Sequence, residues 1–325
     1  MRCARNLKTL EKGLLLFMKI LVTGGAGFIG SHIVDLLVAA QHEVAIVDNL
    51  WNEGGGKTEN VNPAAAFYRA DITDESALQQ IFDEVRPEIV YHQAAQHSVA
   101  ISTRDPQLDA RVNVLGLLNI LGNCTRVGTR KIICASSGAS YGTPERLPIT
   151  EETPQRPESP YGITKMVMEH YLRYWQQANG LTYTALRYGN VFGPRQDPNG
   201  EAGVISIFAK RFLQREGVRI DWDGEQKKDY VYVGDVARAN LLALERGDNE
   251  IFCIGTGQAT SVNAIYETLA EITGYRPAIT RAPKRPGDIY LSYFDCSKAE
   301  RELGWQPEVS FIEGTRKTVE FFQKS

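Results

Sequence analysis

Residues 18–49, "MKILVTGGAGFIGSHIVDLLVAAQHEVAIVDN", constrain the fold more than any other stretch of this chain. "KILV" and "EVAIVD" are short apolar runs of the kind that form strands buried on both faces. Between them, "GFIGSHIVDLLVAA" places Ile29, Ile33, Leu36, Leu37 and Ala40 at helical spacing. The turn that joins the first strand to the helix carries Gly24, Gly27 and Gly30, and Gly25-x-Gly27-x-x-Gly30 also fits the dinucleotide fingerprint. The chemistry is that of a helix N-terminus: free amide groups and the positive dipole end face a pyrophosphate, and glycines let the backbone approach it. Gly24, Gly27, Phe28, Ile29 and Gly30 are therefore expected to contact a dinucleotide. Asp48 ends the second strand and is followed by Asn49. A carboxylate there can accept hydrogen bonds from ribose hydroxyls and repels a 2′-phosphate, which selects NAD over NADP.

The same alternation continues. "AAFYRADI", ending at Asp71 and Ile72, "EIVYHQAA", ending at Gln93, Ala94 and Ala95, and "KIICASS" read as strands. "DESALQQIFDEV" and "LDARVNVLGLLNILGNC" between them have helical pattern. The expected fold class is α/β, a Rossmann-type doubly wound parallel sheet with a smaller C-terminal α/β substrate domain, and with ligands at the carboxyl ends of the strands. The boundaries expected are 18–186 for the first domain and 187–325 for the second, with part of 230–255 returning to the first. Residues 1–17 read as a disordered extension ahead of a natural start at Met18. A formal net charge of −3 gives no pull toward nucleic acid or an anionic membrane. The five cysteines are scattered without metal-ligand spacing, so no metal is expected and a cytoplasmic setting is.

"ESPYGITKMVMEHYLRYW" begins a helix, with Ser159 as N-cap and Pro160 in the first turn. Tyr161 and Lys165 are four apart and share a face. An ammonium beside a phenol favours phenolate, so this tyrosine is expected to have a lowered pKa and to exchange protons with an alcohol hydroxyl.

With "TGGAGFIGSH", "HQAAQ", "SPYGITK", "LRYGNVFGPRQDP", "DYVYVGDVARA", "CIGTGQ", "RPGD" and "SKAERELGWQPEVSFIEG" in order, the chain from Met18 onward resembles the extended short-chain dehydrogenase/reductase superfamily, in particular its NAD-dependent UDP-sugar epimerases. The resemblance implies a catalytic set of Ser137, Tyr161 and Lys165, with Ser136 as a substitute for Ser137. It adds Asn113 to the cofactor residues, as the asparagine that supports the active-site helix. For the UDP-sugar it implies Ser137, Tyr161, Asn190, Val204, Lys228 (where relatives commonly carry arginine), Arg285 and Asp288. It also implies a homodimer, for which Met168, Tyr171, Leu172 and Trp175 are candidates.

The resemblance gives a meaning to "SSGASYG". The related 4,6-dehydratases carry an acidic pair before the Tyr-Gly, where this chain has Gly138 and Ala139. Without that acid and base, elimination of water has no proton carrier, and hydride and proton transfer at C4 remain. The implied reaction is interconversion of UDP-glucose and UDP-galactose through a 4-keto sugar. Ser292 stands where a bulky residue would exclude N-acetyl groups, so UDP-N-acetylhexosamines are expected to have room. A UDP-glucuronate 4-epimerase and, outside enzymes, an NAD-binding regulator of the same fold are the alternatives. His97 either touches the nicotinamide side or covers a loop.

Overall fold

A computed structural model describes residues 17–51, 54–199, 203–284 and 289–324. The expectation for residues 1–17 therefore lies, apart from Phe17, outside the described residues, as do Arg285 and Asp288. Seven parallel strands form the main sheet: β1 (Lys19–Thr23), β2 (Glu43–Asp48), β3 (Ala66–Arg69), β4 (Ile89–His92), β5 (Lys131–Ser137), β6 (Thr182–Tyr188) and β10 (Glu250–Ile254). Their order is β10-β6-β5-β4-β1-β2-β3. β1 is flanked by β2 and β4, so the crossovers diverge at β1 and open a crevice beyond its carboxyl end.

Helices α1 (Phe28–Ala39) and α8 (Val233–Leu242) cover one face, and α2 (Glu75–Val85), α5 (Gly116–Val127) and α6 (Pro160–Asn179) the other. Asp74 caps α2 by accepting from the Ala77 amide at 3.0 Å, and Ser159 caps α6 by accepting from Gly162 at 3.1 Å. The smaller assembly gathers β9 (Lys227–Tyr232) with β7 (Asn190–Phe192), β11 (Ala259–Ser261) and β13 (Leu291–Ser292). β8 (Val218–Asp221) pairs with β12 (Ile279–Ala282). Helices α7 (Val204–Gln214), α9 (Val262–Thr273) and α10 (Phe311–Lys324) pack on a separate core that includes Phe208, Phe212, Ile265 and Val319.

Three local features depart from the sequence reading. β3 stops at Arg69, because Asp71 turns the chain by accepting from both the amide and the hydroxyl of Thr73. β4 stops at His92, after which the chain leaves the sheet through Gln93–Gln96. The stretch expected as one helix from Leu108 is α4 (Pro106–Ala110), a π-helical turn at Arg111–Leu115, then α5. That wider turn carries Asn113, whose side chain holds the Gln96 backbone from both sides: its oxygen accepts from the Gln96 amide and its nitrogen donates to the Gln96 carbonyl, each at 2.9 Å. Among the described residues no helix is long and apolar enough to cross a membrane.

Candidate active site

A cavity lies at the carboxyl ends of β1, β2, β4 and β5. Its walls include Gly24, Gly27–Gly30, Asp48, Asn49, Asp71, Ile72, Gln93–Ala95, Tyr161 and Lys165. Two glycines of the turn are obligatory. Gly24 has φ +70°, and a Cβ on it would lie 2.6 Å from the Ala94 amide nitrogen. A Cβ on Gly30 would run into the Gly24 carbonyl. Gly27 caps α1 with no side-chain partner, so the first amides of the helix are left to the cavity wall. Asp48 is buried, and each of its oxygens already accepts one amide, from Ala26 (3.0 Å) and from Leu50 (2.9 Å). Two amides leave a carboxylate free lone pairs for further donors. Burial raises its pKa, against those two amides. Asn49 donates to Asp71 at 2.8 Å, which joins the ends of β2 and β3 at one corner.

The Tyr161–Lys165 pair sits against the end of β5. Gly162 allows this approach, since a Cβ there would stand 2.5 Å from the Ala139 carbonyl oxygen. The Ser137 hydroxyl, which accepts from Ala139 at 3.1 Å, stands close enough to the Tyr161 phenol to favour its ionised form. Ser136 is not equivalent, because it donates to Glu169 at 2.7 Å behind the strand. Lys165 donates to the Ala135 carbonyl at 2.7 Å, with its ammonium 5.8 Å from the centroid of the Tyr161 ring.

The expected lowering of the Tyr161 pKa is not what this arrangement gives. Burial pushes it up to about 12, against the Ser137 hydrogen bond and with help from the Asp109 charge. Burial brings Lys165 down to about 8, opposed by Cys134, Asp109 and Glu169. The sequence spacing placed the cation correctly, but desolvation of the phenol outweighs it.

Asn113 is a correction of another kind. The cavity wall includes its neighbour Val112 and not Asn113 itself, which besides holding Gln96 donates to Asp109 at 3.0 Å and to the Thr164 hydroxyl of α6 at 3.3 Å, a supporting position. His97 lines the cavity facing Lys165 and Asp197; desolvation, then the Lys165 charge, lower its pKa. Gln93 donates to Asn240 and accepts from Tyr188, each at 3.3 Å. Gln196 and Asp197, missed in the sequence reading, close the cavity from the far side. Their segment is fastened to α1 by Arg195–Asp35 (2.8 Å) and by His32 to the Pro194 carbonyl (3.0 Å).

On the substrate side, Asn190 opens β7 and Val204 begins α7 after Gly203, whose φ is +102°. Lys228 lies on β9 between Thr260 of β11 and Ser292 of β13, so the three share one face. The Thr143 amide, then the Lys284 and Lys228 charges, hold the Glu158 pKa below the usual carboxylate range. Glu158 is three residues from Tyr161, so Lys228 stands near the mouth of the same site. Gly138 is packed under Phe294: a Cβ would meet the ring at 2.8 Å. Met168 and Leu172 are buried in the core and cannot form a subunit interface, whereas Tyr174 is 59% exposed.

The chain matches the GDP-mannose 4,6 dehydratase family over residues 21–318. It is 47% identical to a putative UDP-glucose 4-epimerase of Methanocaldococcus jannaschii, across 94% of this chain and 99% of that one. A solved UDP-glucose 4-epimerase of Thermotoga maritima, in complex with UDP-glucose, superposes with a TM-score of 0.91 at 51% identity, covering 94% of this chain and 99% of the other. One from Thermus thermophilus, in complex with NAD, gives 0.91 at 46% identity, covering 95% and 100%. The glycine turn, the Ser137–Tyr161–Lys165 arrangement and these likenesses converge, and the chain belongs to the NAD-dependent UDP-sugar 4-epimerases of the extended short-chain dehydrogenase/reductase superfamily.

Proposed function

We infer that the protein is a UDP-hexose 4-epimerase that interconverts UDP-glucose and UDP-galactose with NAD. The observation that carries this is a Tyr161 phenol beside the Ser137 hydroxyl, with Lys165 beneath it, at a strand end that bears no carboxylate. The described residues fit the cofactor. The Gly24 and Gly30 cradle is one that a Cβ would fill, and Asp48 retains acceptor capacity at the end of β2. The residues that would hold it are Gly24, Gly27, Phe28, Ile29 and Gly30 at the pyrophosphate and Asp48, Asn49, Asp71 and Ile72 at the adenosine end. Gln93, Ala94, Ala95, Tyr161 and Lys165 would hold its nicotinamide end. When bound, NAD supplies a positive ring beside the phenol and carries the hydride away from and back to C4.

Tyr161 takes the proton of the C4 hydroxyl and, once the 4-keto sugar has turned to present its other face, returns it to the C4 oxygen. Ser137 bridges phenol and hydroxyl, which keeps the proton path short. Lys165 stays charged at neutral pH and favours phenolate against the burial that opposes it. Although the matched family is named for a dehydratase, Gly138 cannot carry an acid without displacing the Phe294 ring, so this turn supplies no proton carrier for elimination.

In this reading Lys228 and Arg285 take the diphosphate, Asn190 the diphosphate or sugar, Val204 the uracil and ribose side, and Asp288 the nucleoside ribose. Ser292 pairs with Lys228, and as a small residue there it supports room for an N-acetyl group on the sugar. The main sheet with α8 and β10 forms the cofactor half, and the remainder beyond Arg187 the substrate half. Exposed Tyr174 and Ile163 on α6 support pairing of two copies. The described cysteines are all free thiols, which supports a cytoplasmic setting.

The test is to incubate purified protein with UDP-galactose, without added acceptor, and to quantify UDP-glucose. An equilibrium mixture without net NADH is expected. No conversion by protein that holds NAD would overturn the galactose reading and turn the search to UDP-glucuronate and the N-acetylhexosamines.

A further inference from the structure

Behind the Tyr161–Lys165 turn lie two buried carboxylates in different states. Glu169 is neutralised by Arg187, which donates to it at 2.6 and 2.8 Å. Asp109, on α4 and fully buried, receives only neutral donors. Gln96 Nε2 (2.8 Å) and Asn113 Nδ2 (3.0 Å) reach its Oδ1, and the Thr164 hydroxyl (2.9 Å) its Oδ2. Burial raises the Asp109 pKa, against a shell of donors and the Lys165 charge that suit the ionised form. Thr164 lies between Tyr161 and Lys165 in sequence and also bonds the Tyr161 carbonyl at 3.0 Å. The other titratable groups that face the pair are Cys134 on β5, His92 on β4, Tyr188 on β6 and His97 on the loop after β4. Burial favours the neutral form of Cys134, His92 and Tyr188, and desolvation at the cavity wall together with the Lys165 charge favours that of His97. Asp109 is thus the one negative charge near the pair, among the described residues, that no cation offsets at close range.

We propose that Asp109 is a positioning residue of the epimerase: through Thr164 it fixes the turn that carries Tyr161 and Lys165, and its charge sets the pH range in which the pair works. This rests on the 4-epimerase reading above. The sign follows from electrostatics. A nearby negative charge makes it harder for Tyr161 to lose its proton and harder for Lys165 to lose its own. Removing it moves both limbs of the pH profile toward acid, by about one pH unit for a buried neighbouring charge.

The experiment compares Asp109→Asn with the parent, both loaded with NAD. It follows kcat and KM for UDP-galactose against pH. It also follows ionisation of Tyr161 by tyrosinate absorbance, as the difference from Tyr161→Phe. The expected result is a kcat about tenfold lower, an unchanged KM and NAD content, and both limbs and the tyrosinate titration displaced to lower pH. A fall in kcat with an unmoved profile would reduce Asp109 to a structural group and overturn the proposal, as would parental behaviour throughout. Should Asp109→Asn not fold, Thr164→Val decides: a kcat at least about tenfold lower at parental KM is expected, and parental kcat overturns the proposal. A parent that converts no UDP-galactose sinks the reaction assigned above instead, and the Tyr161 titration still reports on Asp109.

Discussion

Of the Ser137–Tyr161–Lys165 set, Tyr161 is the group to which the proposed proton exchange with the sugar is assigned, while Ser137 accepts from Ala139 and Lys165 donates to Ala135. Tyr161→Phe removes that hydroxyl and leaves the ring. We expect kcat to fall by roughly 10³-fold while the purified variant still holds NAD. A variant turning over within a few-fold of the parent would remove Tyr161 from the chemistry. The four-residue spacing of Tyr161 and Lys165 was legible in the sequence, as was the choice of a serine at the end of β5. The elevation of the Tyr161 pKa was not, because it depends on burial under groups distant in sequence, and spacing on one helix carries no information about desolvation.

At the scale of elements, the glycine turn and α5 show how differently two helical glycines behave. Gly30 lies in the first turn of α1, where a Cβ would strike the Gly24 backbone, which cannot yield without opening the cradle. Gly30→Ala is expected to cost about 1–3 kcal/mol and to lose NAD on purification. Gly122 lies within α5, where an added Cβ would meet nothing within 4 Å, and Gly122→Ala is expected to stabilise by about 0.5–1 kcal/mol with cofactor binding unchanged. Thermal unfolding and the bound-nucleotide absorbance of the two variants check both. Equal behaviour of the pair would show that the turn is not a close-packed cradle. The fingerprint located Gly30 from sequence alone, since its spacing is tied to a known backbone approach. The break of the helix at Arg111–Leu115 left no such mark. It is set by Asn113 reaching Gln96, Asp109 and Thr164, partners that only the folded chain brings together.

For the whole molecule, strand alternation in sequence foretold the parallel sheet, because strands covered on both faces must be apolar throughout. The fastening of the Gly193–Asp197 segment to α1 was not foretold, since Asp35, His32 and Arg195 read as ordinary polar residues until segments about 160 residues apart meet. The folded molecule also favours the neutral form of four histidines. Desolvation lowers the pKa of His32, His42, His92 and His97, and brings that of His92 down to about 3. His92 is buried at the end of β4, bonded to the Thr23 hydroxyl at 2.8 Å. Its folded pKa is below its unfolded value near 6.5, so the unfolded chain binds the extra proton as pH falls. The contribution of His92 to stability is therefore complete above about pH 6.5 and is lost progressively below it, at up to about 1.4 kcal/mol per pH unit down toward pH 3. Urea unfolding of the NAD-bound protein at neutral and mildly acidic pH should show stability falling with acid. In His92→Gln, which keeps a polar group toward Thr23 but cannot take up the proton, the slope should flatten by close to one proton. Identical slopes in parent and variant would mean that His92 is already protonated in the fold, against the neutral imidazole that its burial favours.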